Sequence, residues 1–164
     1  MRKFMFLIVM LIAAAASAQQ LDLKSLDKFA DKAKSKTEIN MNESMLKTAA
    51  NSLDEKQRDE KIAKKSVEGL KGFYLRTYEF DDKFEFKLED LKPLLDQLKA
   101  PNWQPVLRNK EDREQTEIWM HFTNGSADGM VLIAAESHEL TVINGMGVTN
   151  MSDLKALGKM DPLK

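Results

Sequence analysis

Two histidines, His121 and His138, are the only imidazoles in the 164-residue chain, and cysteine is absent. With no thiol there is no thiolate zinc site, iron–sulfur cluster, cysteine nucleophile or disulfide. The remaining soft chemistry centres on His121, which shares a strand-like segment with Glu117 and Trp119, and on His138, which precedes Glu139. Two imidazoles and a carboxylate could in principle hold a metal or line a cleft. However, no HxH or HExxH spacing supports a metal, and a strand histidine plus a turn histidine is the plainer account. His121, Glu117 and His138 therefore carry only the alternative reading, a small-molecule binder or hydrolase with a cleft near His121.

Other reactive groups are weaker. Ser44, Ser126 and Ser152 lack the Gly-x-Ser-x-Gly elbow that exposes a serine nucleophile. The acid pairs Asp81-Asp82, Glu89-Asp90 and Glu111-Asp112 fall at turns or a helix start, where carboxylates serve solvation and the helix dipole. Gly145-Met146-Gly147 follows a strand but lacks the GxGxxG spacing of a phosphate loop and reads as a strand terminator. Met41 with Met45, or Met146 with Met151, could bind Cu(I), yet methionine at such spacing ordinarily fills core gaps. No catalytic, cofactor-binding or metal-binding residue is assigned, and no cofactor is expected.

The aromatic residues point elsewhere. Alternation along 73–80 puts Tyr74 and Tyr78 on one side and Phe73 with Leu75 on the other. Met130-Val131-Leu132-Ile133-Ala134-Ala135 is apolar without alternation, and Ile118, Trp119, Met120 and Phe122 break strict alternation too. Strands of this kind want cover on both faces. Tyr74, Tyr78, Trp119 and His121 are the residues assigned to a candidate interaction surface.

The elements that must position these groups follow from periodicity. Leu21, Leu23, Leu26, Phe29, Ala30 and Ala33 predict an amphipathic helix over 21–33. A strand over 37–41 runs into a helix bearing Met45, Leu46, Ala49, Ala50 and Leu53, then a charged loop, then a second helix through Ile62, Val67 and Leu70 that closes near Gly69 or Gly72. A strand over 73–80 precedes a helix from about Glu89 to before Pro101, with Pro93 in its first turn. Strands at 104–108, 115–123, 130–135 and 139–144, joined by short turns that include Asn124 to Gly129, predict a meander. Met151, Leu154 and Leu157 suggest a closing helix. The expected fold is α+β, a two-layer sandwich with helices packed on a mostly antiparallel sheet ending in a four-strand meander.

Met1-Arg2-Lys3, the 13 uncharged residues from Phe4 to Ala16, and Ala16-Ser17-Ala18 have the form of a cleavable export signal. Thirteen residues of helix span about 20 Å, short of the ~30 Å hydrocarbon core. Residues 1–18 are thus read as a signal peptide and 19–164 as a single domain, periplasmic or secreted, with no stable membrane anchor after cleavage. Losing Arg2 and Lys3 takes the formal charge from −1 to −3. Lysines interleaved with carboxylates give no cation cluster for counterion release, which argues against nucleic acid as a partner.

The chain resembles the exported bacterial family known as domain of unknown function 4252. The likeness rests on the leader, Leu26-Asp27-Lys28-Phe29-Ala30, Thr37-Glu38-Ile39-Asn40-Met41-Asn42 running into Met45-Leu46-Lys47, Gly69-Leu70-Lys71-Gly72 before the Tyr78 strand, the Leu91 to Leu98 helix and the late apolar strands. It implies a small exported protein without an assigned activity, encoded near sigma-factor regulatory genes, and it brings no catalytic residues. The expectation is a non-enzymatic envelope protein that binds another protein or self-associates through its sheet.

Overall fold

A computed structural model describes residues 20–53, 58–81, 87–111 and 114–147. The leader, the expected closing helix at 151–157 and all of the expected Asp81-Asp82-Lys83 turn but Asp81 lie outside the described residues. Six strands, β1 (Ser35–Asn42), β2 (Leu70–Glu79), β3 (Trp103–Glu111), β4 (Glu114–Thr123), β5 (Ser126–Ala135) and β6 (Glu139–Gly147), form one antiparallel sheet in the order β1-β2-β6-β5-β4-β3. The helices are short: α1 (Glu43–Asn51), α2 (Arg58–Glu68), α3 (Lys92–Gln97), and 3-10 helices at Lys24–Phe29 and Leu88–Leu91.

This corrects the expected fold class. The molecule is mainly a six-stranded antiparallel sheet with a few short helices, rather than a two-layer sandwich of helices on a sheet. The helical stripes in the sequence shorten on folding for local reasons. Over 21–33 only Lys24–Phe29 is helical, as a 3-10 helix, and the residues before it are tied down individually: Leu21 N–H donates to Asn144 Oδ1 at 3.1 Å and Asp22 N–H to Gln97 Oε1 at 2.8 Å. The 89–100 helix splits into a 3-10 turn and the six residues of α3, with Pro93 in its first turn, where the missing N–H has no intrahelical partner. α1 forms as the sequence implies: Asn42 caps it by accepting the Met45 N–H at 3.0 Å, and Leu46 and Ala50 are buried.

The strands are longer than alternation alone suggests. The segment Asn124 to Gly129 is not a loop. Asn124 (φ 51°) and Gly125 (φ 79°) make a two-residue turn, the conformation an Asn-Gly pair favours, and β5 starts at Ser126. Gly145 does not end β6 but pairs with Phe73 on one side and Met130 on the other. Gly147 closes the strand at φ 121°, where a Cβ would lie 2.3 Å from the Gly69 carbonyl oxygen.

One face of the sheet holds the core. Tyr78, Leu140, Val142, Val131, Ile133, Ala135 and Trp119 pack against Leu21, Leu23, Leu26 and Phe29 of the N-terminal segment and against Leu91, Leu94 and Leu98. Phe29 meets Tyr78 and Phe80 at ring-centroid distances of 6.0 Å each. Asn144, fully buried, ties the N-terminal segment to this face and also donates to the Met130 carbonyl at 3.2 Å.

Candidate functional site

All four residues assigned to the interaction surface sit on the core face. Tyr78, Trp119 and His121 are buried there, and Tyr74 is half-buried beside a cavity of about 370 Å³ at the β1–β2 edge. Arg76 lines the same cavity and is engaged by three partners. Its guanidinium donates to Asp27 Oδ1 at 2.7 Å and to the Leu23 carbonyl at 2.8 Å, and it pairs with Glu38 Oε1 at 3.0 Å. Hydrogen bonding to Lys36, reinforced by the Arg76 charge, holds the Glu38 carboxyl below its ordinary value. Burial pushes the Tyr78 phenol up, against the opposing charge of Arg76. The cavity is thus bordered by an ion-pair network in which Arg76 bridges Asp27 and Glu38.

His121, Glu117 and His138 do not converge. His121 and Glu117 share a face of β4 with Trp119 between them, and each has its own partners. The His121 ring meets Trp103 edge-on at 5.1 Å, and its Nδ1 lies 2.6 Å from Asp128 Oδ1. Asp128 is the extra residue of a bulge: His121 opposes Gly129 and Phe122 opposes Ala127, so Asp128 has no strand partner and is re-aimed toward the imidazole. Glu117 accepts the Trp119 indole N–H at 2.6 Å and the Gln115 amide, while Arg108 lies 4.4 Å over the Trp119 ring. His138 sits in the β5–β6 turn, where its carbonyl accepts the Phe80 N–H. Since Ala135 pairs with Gln115, that turn lies six residues along β4 from His121, about 20 Å away. Among the described residues no group of three or more histidine, aspartate or glutamate side chains could hold a metal.

The opposite face is where the fold gathers an unassigned feature. The register aligns Ile39, Leu75, Ile143, Leu132, Ile118 and Leu107 in one row, one residue from each strand. None belongs to the core cluster; five are half-buried and Leu107 is 43% exposed. On one side runs a row of small side chains, four threonines and an alanine: Thr37, Thr77, Thr141, Ala134 and Thr116. There Thr77 and Thr141 share a hydrogen bond of 3.0 Å. On the other side Phe73 and Met130 are half-buried and Met120 is fully buried, so the face is covered at that end. The aliphatic row itself runs five inter-strand steps, about 24 Å at roughly 4.8 Å each.

Sequence reading missed these six residues as a unit. Its only signal was the missing alternation at 130–135 and 118–122, because the row exists only once the register is known. Arg76, Asp128 and Asn144 gave no signal, each being a single polar residue in a strand.

No helix among the described residues is long and apolar enough to cross a membrane. No curated protein matches the chain. A family model covers residues 29–157, from the 3-10 helix of the N-terminal segment through the whole sheet, and the chain belongs to that family, described as Domain of unknown function (DUF4252).

Proposed function

We propose that the protein is an exported envelope protein that works by binding another protein, with the aliphatic face of its sheet as the contact surface, and without catalysis. One observation carries this reading: a row of six aliphatic residues, none of them in the main core cluster, crosses all six described strands on the opposite face of the sheet. Leaving such a row half-covered forgoes about 25 cal/mol for each Å² of apolar surface, a driving force that a protein partner would recover. The composition of the leader supports export. The alternative, a binder or hydrolase at His121, draws no support from residues that point to separate partners. Light scattering of the exported chain, paired with retention of envelope proteins on it, tests the proposal. Self-association or a retained partner agrees with it, and a strict monomer retaining nothing contradicts it.

A further inference from the structure

The two edges of the sheet differ. β3 carries devices that keep an edge from pairing: Pro105 has no N–H, the register slips between Pro105 and Leu107, and Arg108, Lys110 and Glu111 are exposed. β1 has none of the backbone devices. It contains neither proline nor glycine and runs in unbroken register against β2 over all eight residues. Its two charged side chains lie on the core-side face and are engaged. Lys36 Nζ is 2.8 Å from Glu38 Oε2, and Glu38 Oε1 is 3.0 Å from Arg76. Half of the backbone donors and acceptors of such an edge face outward, a template for another strand.

We infer that β1 pairs with β1 of a second copy of this chain, antiparallel, about a two-fold axis at Ile39. The inference rests on the reading of the protein as an assembly module and adds the edge and the partner. In an antiparallel ladder opposed residues share a face, which limits the symmetric registers. Centring on Glu38 opposes two carboxylates. Centring on Thr37 brings Lys36 against Glu38 but pairs only residues 35–39. Centring on Ile39 pairs residues 36–42, with Ile39 against Ile39, Thr37 against Met41, Glu38 against Asn40 and Lys36 against Asn42. No like charges meet, and the aliphatic row continues unbroken into the second sheet.

The absence of cysteine makes the register directly testable. Ile39→Cys, Thr37→Cys, Met41→Cys and Leu132→Cys are made singly in the full chain and oxidised mildly, and the covalent dimer is read on non-reducing gels. Directly opposed Cβ atoms approach to disulfide range, so Ile39→Cys is expected to give on the order of tenfold more dimer than Thr37→Cys alone. Mixing the Thr37→Cys and Met41→Cys chains should restore cross-linking. No excess at Ile39 over Thr37→Cys overturns the inference. If that failure comes with dominant cross-linking of Leu132→Cys, or with a retained envelope partner, the contact-face reading survives. If it comes with a monomer that retains nothing, both fall.

Discussion

Asn144 holds Leu21: its side-chain oxygen accepts the Leu21 backbone N–H at 3.1 Å across 123 residues of chain, with the asparagine wholly buried in the sheet. This bond and the one to the Met130 carbonyl fasten the N-terminal segment over the core. Asn144→Leu leaves two backbone groups without their partner. We expect a loss of about 2–4 kcal/mol in urea unfolding, together with faster hydrogen exchange at the Leu21 amide. An unchanged midpoint would show that the segment is held by its leucines alone.

Tyr78 is buried against Phe29, and the Arg76 guanidinium acts on its phenol in opposition to burial. Tyr78→Phe should keep the fold and change stability at neutral pH by no more than about 1 kcal/mol. Burial raises the phenol above its ordinary value of 10.0, so the folded state keeps the proton that the unfolded state releases. The stabilisation is complete below pH 10 and is lost as pH rises through the folded value. Unfolding measured from pH 8 to 11 should fall more steeply for wild type than for Tyr78→Phe. Parallel curves would contradict the assignment.

The imidazole of His121 packs on Trp103 and meets the bulge carboxylate of Asp128. Its removal is a stability event. His121→Ala should cost about 2–3 kcal/mol by leaving a cavity and a carboxylate without its donor. Wild type and variant, compared at equal folded fraction, should behave alike against panels of small ligands and hydrolase substrates. A binding or turnover signal that vanishes with His121 would favour the cleft reading.

How much the sequence discloses depends on which residues are asked. The non-alternating run from Met130 to Ala135 marks a strand apolar on both faces, and Asn42 marks the start of α1; both are local signals that packing leaves intact. The Leu21 to Ala33 stripe misleads because its leucines and Phe29 pack into the core from a short 3-10 helix and the segment before it, and apolar spacing alone does not tell that from a full helix. Shortened helices there and around Pro93 are why a helix-on-sheet sandwich is expected and a six-stranded sheet with short helices is found. Gly145 looks like a terminator from its residue type alone, yet in the strand it lets Phe73 and Met130 flank a bare position, with Leu70 the nearest side chain. The aliphatic row is illegible in principle, since Ile39 and Leu107 are adjacent to nothing in sequence that would align them.

The contact face can be changed without touching the core. Leu132 and Ile143 oppose one another at its centre, half-buried and outside the core cluster, and threonine has the β-branched shape a strand favours. The most direct measurement is light scattering and envelope-partner retention for the Leu132→Thr, Ile143→Thr double variant beside wild type, with circular dichroism confirming equal folding. We expect wild type to associate with itself or retain a partner, and the folded variant to lose that association by at least about tenfold. A folded variant that keeps every association of wild type would contradict the assignment of this face.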